Sequence, residues 1–179
     1  NMTNENEVEK FFKAFQTQYK SLEILINVVG QSEPGGPTEI NTETWEKQFR
    51  LNLDTAYYSI KKAIPIMRQN KGGSIVNISS VAGLRYVGKP QVAYSASKSA
   101  LIQMTTTTAV IEAKNNIRLN CVVPGLMHTP LVDRLAKKYA DGDYDGFVNH
   151  RNNQVPMGRM GESWDVANAV LFLCSDEAK

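Results

Sequence analysis

Tyr94 and Lys98 stand four residues apart in Tyr94-Ser95-Ala96-Ser97-Lys98. On a helix that spacing puts both side chains on one face. A free phenol has a pKa near ~10 and is a poor base at neutral pH. A nearby ammonium stabilises the phenolate. The pair therefore predicts a lowered tyrosine pKa and a general acid/base that works near neutrality. A solvated helix face carries the same spacing just as well, so the chemistry needs further residues.

A second polar cluster lies upstream, in Asn77-Ile78-Ser79-Ser80-Val81-Ala82-Gly83. Ser74-Ile75-Val76-Asn77-Ile78 reads as a strand, which puts the serines at its carboxyl end, where open α/β sheets hold their ligands. Ser80 there can donate a hydrogen bond to a substrate oxygen. Ser79 is the alternative; on an extended chain the two point to opposite faces, so only one faces substrate. Both also suit the start of a turn.

The elements that must position these groups follow from hydrophobic period. Val8, Phe11, Phe12, Phe15 and Tyr19 recur at helical spacing. Leu22 to Val29 is a nearly continuous apolar run, expected of a parallel strand covered on both faces, and Gly30 ends it. Gln31 to Pro37 is a loop. Trp45 to Met67 reads as one long amphipathic helix, broken at Gly72-Gly73. After the loop Gly83 to Pro90, a helix runs from about Tyr94 to Lys114, and Ile117 to Val123 is a third strand. Residues 131–160 are polar and poorly periodic, a substrate lid within the domain. Ser163 is the expected N-cap of a last helix through Leu173, with Asp165 in its first turn. Alternating helices and strands predict one α/β domain over residues 1–179, a doubly wound parallel sheet of Rossmann type. The chain shows no G-x-G-x-x-G turn and ends just after a helix, so the N-terminal Gly-rich βαβ segment and the last strand of such a sheet are lacking.

Strand–Asn-x-Ser-Ser-x-x-Gly, then Tyr-x-x-x-Lys, then Asn120-Cys121-Val122-Val123-Pro124-Gly125, in that order, resembles the short-chain dehydrogenase/reductase family. Asn27-Val28-Val29-Gly30 resembles the family's Asn-Asn-Ala-Gly motif, with valines at its second and third positions. Arg50-Leu51-Asn52-Leu53 resembles its asparagine-bearing helix, and Pro156 through Leu173 resembles its tail. The resemblance spans nearly the whole chain.

The resemblance implies a nicotinamide-dependent oxidoreductase, using NAD or NADP, on a secondary alcohol or ketone. Tyr94 would be the acid in reduction and the base in oxidation. Lys98 would lower its pKa and hold the nicotinamide ribose, Ser80 would bind the reacting oxygen, and Asn52, in a distorted helical turn, would hold a water of the proton relay. Asn1, Asn27, Gly30, Pro124, Gly125, Met127 and Thr129 would line the dinucleotide cleft. Asn1 stands where the family commonly has an aspartate against adenine. Arg85, Tyr86 and Lys89 would shape the pocket. His128 could reach a pyrophosphate or simply be solvated; His150 falls in the lid. The helices over Trp45–Met67 and Ala100–Ala113 would form a homodimer or homotetramer interface, the alternative being ordinary packing within one chain. The competing reading is a non-catalytic binding or regulatory protein on the same fold; a dehydratase or epimerase is disfavoured by the full set Asn52, Ser80, Tyr94 and Lys98.

Composition narrows the rest. Twenty Lys and Arg against eighteen Asp and Glu, a net charge of +2 without basic blocks, argue against nucleic acid. No apolar run reaches membrane-spanning length. Cys121 and Cys174 have no His or Cys at ligand spacing, so no metal site is expected and buried free thiols are. Asn1 to Lys10 is polar and acidic, without signal-peptide character, and a cytoplasmic setting is expected.

Overall fold

A computed structural model describes residues 1–178, the side chains at 138 and 139 excepted. Strands β1 (Ile24–Asn27), β2 (Gly73–Ile78) and β3 (Ile117–Val122) pair in parallel in that order. Parallel neighbours need crossover connections, and helices supply them. The first crossover holds α2 (Thr42–Phe49), a π-turn (Arg50–Asp54) and α3 (Thr55–Gln69); the second holds α4 (Val92–Glu112). Helix α1 (Glu5–Gln18) precedes the sheet and α7 (Ser163–Cys174) follows it. This is the Rossmann-like α/β architecture that the alternation of elements predicts.

Side chains of β2 alternate between two environments. Ile75 joins Ile60, Met67, Ile117 and Leu119 in a buried cluster under α3. Its neighbour Ser74 faces the other way, and its hydroxyl donates to the Leu173 carbonyl of α7 at 3.0 Å. A smaller cluster of Val8, Phe12, Ala63 and Ile66 fastens α1 to α3. Each of the larger apolar side chains in these clusters stabilises the fold by about 1.5–3 kcal/mol.

Two local features bring the end of β2 against α4. A 3-10 turn, Val81–Gly83, packs on the helix. A Cβ on Gly83 would lie 2.8 Å from the Lys98 carbonyl carbon and 2.9 Å from the Ser99 nitrogen, both backbone atoms. Only glycine permits that approach. Gly83→Ala is therefore expected to cost about 1–3 kcal/mol through overpacking. Urea unfolding reads this as a lower midpoint at unchanged slope; an unmoved midpoint contradicts the close approach. The second feature is the threonine run of α4. Thr105, Thr106 and Thr108 each donate to the carbonyl four residues earlier, so their hydroxyls are satisfied inside the helix.

The structure differs from the sequence expectations at five places. The first strand is only four residues long, and Ile24 and Ile26 are exposed, so β1 is not covered on both faces. The helix expected over Trp45–Met67 is two helices joined by the π-turn. Residues 131–160 contain α5 (Leu131–Tyr139) and α6 (Tyr144–Asn153), and Val132 and Ala136 of α5 are buried. The last helix is capped by Glu162, not Ser163: Glu162 and Asp165 form a reciprocal capping box, in which the Glu162 amide donates to Asp165 at 2.7 Å. Both cysteines are free, as expected, but half-buried. Among the described residues no helix is long and apolar enough to cross a membrane, and no three His, Cys, Asp or Glu gather as a metal site.

Candidate active site

Tyr94, Lys98 and Ser80 meet where the carboxyl end of β2 touches the first turns of α4. The two serines divide the work. Ser79 is buried and donates to the Lys98 carbonyl at 2.8 Å, pinning strand to helix. Ser80 faces the other way. Its hydroxyl accepts from the Ala82 amide at 3.2 Å and is hydrogen-bonded to the Tyr94 side chain.

The electrostatics differ from the expectation drawn from spacing. Tyr94 is not lowered. Burial holds its phenol above the ordinary value of 10, and the Ser80 hydrogen bond offsets only part of this. Lys98 does not pair with the phenolic oxygen. Its ammonium lies 5.9 Å from the Tyr94 ring centroid and donates to the Ile78 carbonyl at 2.8 Å. Lys98 is itself only 3% exposed, and burial lowers its pKa from 10.5 to about 8. Desolvation thus governs both groups: it favours the neutral phenol and the neutral amine.

Asn52 closes the site from the opposite side. It is buried in the π-turn, which matches the distorted turn that the resemblance implies. A widened turn leaves a helical carbonyl available to a side chain. The Asn52 amide group takes the Gln48 carbonyl at 2.9 Å and the Gln31 carbonyl at 2.9 Å, and its Oδ1 accepts the Gln31 amide at 2.9 Å. The loop after β1 is thereby fixed over Lys98. Gly30 sits at the junction: a Cβ there would meet Asn52 Oδ1 at 2.9 Å and Lys98 Nζ at 3.0 Å. The absence of a side chain leaves that cradle open.

The remaining candidates fall into two groups. Asn27, Pro124, Met127 and Thr129 are tied to the framework of the site. Asn27 donates to Asn77 at 2.8 Å, and Asn77 donates to Thr105 at 2.8 Å, so β1, β2 and α4 are linked by side chains. The Pro124 carbonyl accepts the Val81 amide at 3.0 Å. Met127 belongs to β4 (Met127–His128), which pairs with β5 (Gly161–Glu162), and the Thr129 carbonyl starts α5 by accepting from Val132 at 2.8 Å. Gly125 has nothing within 4 Å of where a Cβ would stand. Asn1 is set apart: its Oδ1 accepts from Thr3, and its amino group pairs with Glu7. His128 is exposed and bonded to the Tyr144 hydroxyl at 2.9 Å, joining β4 to α6.

Sequence reasoning passed over Gln48, Gln91 and Asn77. Gln48 is fully buried, and Gln91 is buried and accepts from the Ser32 hydroxyl at 2.9 Å. For Gln48 and Gln91 no periodicity or motif marks the position. Asn77 stood in the quoted motif, in a strand otherwise apolar, and a buried amide there needs a partner.

Residues 1–179 match the family model described as enoyl-(acyl carrier protein) reductase. The chain is 32% identical over 178 residues to the 3-oxoacyl-(acyl-carrier-protein) reductase FabG of Thermotoga maritima, covering 99% of this chain and 69% of that protein. A solved structure described as a short-chain dehydrogenase/reductase, from Burkholderia xenovorans, superposes with a TM-score of 0.94 at 42% identity, over 99% of this chain and 67% of the other. The chain belongs to the short-chain dehydrogenase/reductase family. The L-sorbose reductase of Gluconobacter frateurii, solved with NADPH and L-sorbose, is also similar, with a TM-score of 0.89 and 26% identity over 99% of this chain and 69% of that one. This member of the family thus spans about two thirds of the length of these relatives. The family's cofactor is NAD or NADP.

Proposed function

We propose that this protein carries the proton-transfer and substrate-orienting machinery of an oxidoreductase that moves hydride between NAD or NADP and a secondary alcohol or ketone. The observation that carries the reading is the meeting of Ser80 and Tyr94 beside a desolvated Lys98, with Asn52 converging on the same point at Gly30.

Two features fit the residues to a nicotinamide ribose. An ammonium has three donors, and the one described Lys98 Nζ hydrogen bond, to Ile78, employs one of them. Gly30 leaves room beside that ammonium. Lys98 would hold the ribose hydroxyls, and Asn27, Gly30, Pro124, Gly125, Met127 and Thr129 would border the dinucleotide. The bound cofactor supplies or accepts the hydride. The chain does the rest. Ser80 donates to the substrate oxygen and fixes it next to Tyr94. In reduction the Tyr94 hydroxyl gives that oxygen its proton; in oxidation the phenolate takes one back. Burial keeps Tyr94 protonated at neutral pH, which suits the reductive direction. Asn52 would hold a water that passes protons on to Lys98, and Lys98 would return them to the tyrosine.

The same reading includes a homodimer or homotetramer and a cytoplasmic setting. Tyr57 on α3 and Val110 and Ile111 on α4 are large and exposed, which supports association along these helices. Sedimentation equilibrium tests it, and a strictly monomeric protein removes it.

Titration with NADH and NADPH by nicotinamide fluorescence, then a panel of ketones followed by nicotinamide absorbance, tests the activity. Saturable binding with turnover is expected. Binding without turnover on any ketone or alcohol favours the non-catalytic alternative, and no binding by either dinucleotide ends the reading for this molecule.

A further inference from the structure

We infer that Gln48 is a positioning residue, which acts through Asn52 and the loop of residues 31–33. This rests on the oxidoreductase reading for its effect on rate, and on the structure alone for its effect on the loop.

Gln48 lies in the last turn of α2 and is 0% exposed. A glutamine that is wholly buried must find partners for both ends of its amide or lose the hydrogen bonds water gave it. One end succeeds. Oε1 accepts from the Glu33 amide at 3.3 Å and from Asn52 Nδ2 at 3.3 Å. Both of those groups are donors, so the oxygen and not the nitrogen must face them, and the orientation of the amide is fixed by chemistry. The other end fails: Nε2 is buried without a hydrogen-bond partner.

An apolar side chain of the same length would fill this place without an orphaned donor. As a core residue, therefore, Gln48 is a poor choice. As a bridge it has a purpose. The Asn52 amide group has two hydrogens, which point at the Gln31 and Gln48 carbonyls. Gln48 Oε1 adds a third acceptor on the same nitrogen and extends it to Glu33. Asn52 grips the loop at residue 31, Gln48 grips it at residue 33, and Gln48 grips Asn52. Loop, π-turn and α2 become one polar unit, and that unit sets where Asn52 Oδ1 stands beside Lys98.

Gln48→Met and Gln48→Glu, compared with wild type, test this. Met keeps length and loses every hydrogen bond; Glu keeps an acceptor toward both donors. Three readouts are used: kcat and KM for a ketone, thermal midpoint, and amide hydrogen exchange at Gln31. The Gln31 amide bonds Asn52 and not Gln48, so its exchange reports an effect transmitted through Asn52. For Gln48→Met the expected result is a kcat lower by about tenfold or more at nearly unchanged KM, since a misplacement of an ångström costs orders of magnitude in rate. Gln31 exchange is expected to speed up several-fold, roughly, while the thermal midpoint changes little, because the orphaned donor is gone but the Glu33 amide loses its acceptor. Gln48→Glu is expected to recover most of the rate. A kcat within twofold of wild type, a fall in kcat that follows a loss of thermal midpoint, or unchanged Gln31 exchange overturns the inference. If the wild type itself shows no turnover, the oxidoreductase reading has failed, and Gln31 exchange alone decides for or against the clamp.

Discussion

Tyr94→Phe is expected to abolish ketone reduction while the protein remains folded. The substitution removes one oxygen and keeps the ring. Among the described residues its hydrogen-bond partner is the Ser80 hydroxyl, so the stability cost is that of one ordinary hydrogen bond, about 1 kcal/mol. The rate cost is far larger. Proton transfer by a positioned side chain contributes roughly 10²–10⁴-fold, and without it the developing alkoxide has only Ser80 to hold it. The chemistry also has a direction in pH. Burial raises the Tyr94 pKa, so the phenol stays protonated through the neutral range, and reduction is expected to fall off only on the alkaline side. Dinucleotide binding by the variant, measured by fluorescence, should match wild type. Reduction at a near-normal rate by the variant would remove Tyr94 from the mechanism.

Lys98→Met is expected to lose turnover and gain stability, an inversion of the usual outcome for a buried residue. Burial lowers the Lys98 pKa from 10.5 to about 8. Below pH 8 the lysine is charged in both folded and unfolded chains, and the folded state bears the full cost of burying the charge. Between about 8 and 10.5 the folded protein releases its proton first, so the unfolded chain binds more protons and stability rises with pH. Above that window the cost is gone. The difference is roughly 3 kcal/mol. Methionine removes the charge but leaves the Ile78 carbonyl without its donor, a loss of about 1–2 kcal/mol, so a net gain of the order of 1 kcal/mol is expected at neutral pH. Urea unfolding of both proteins at pH 7 and near the top of the window checks this. The variant's advantage should shrink and reverse as pH rises, and a pH-independent difference would show that Lys98 is not a desolvated cation.

Much of this was legible in the residues. Tyr94, Lys98, Ser80 and Asn52 could be named because their motifs are strings of fixed spacing; the helix that carries Tyr94 and Lys98 is only weakly amphipathic, and its period alone would not have marked them. What the sequence could not show was the balance of forces at the pair. Spacing brings a cation near a phenol, but it does not say that Lys98 turns to the Ile78 carbonyl, nor that burial outweighs attraction for both groups. Residues 131–160 misled for a different reason. Leu131, Val132, Leu135 and Ala136 do recur at helical spacing in α5, but over only nine residues, and the polar residues that follow hide that period when the whole stretch is read together. The cap at Glu162 escaped because a serine one residue later is the better N-cap by type, while the reciprocal bond from Asp165 decides the matter in space.

The line of side chains from Asn27 through Asn77 to Thr105 has a consequence for how the chain reaches its fold. Asn27 and Asn77 are directly opposed in the β1–β2 ladder, and Asn77 is wholly buried. Sliding either strand by one residue would turn its amide to the other face of the sheet. Out of step, the wholly buried Asn77 amide would lose the bond it takes from Asn27, at about 1–3 kcal/mol, whereas contacts between apolar side chains are far less particular about register. The amides therefore act as a key. They add little to the depth of the native state and a great deal to the height of its misaligned competitors, and they do so on the two strands whose ends hold Gly30 and Ser80.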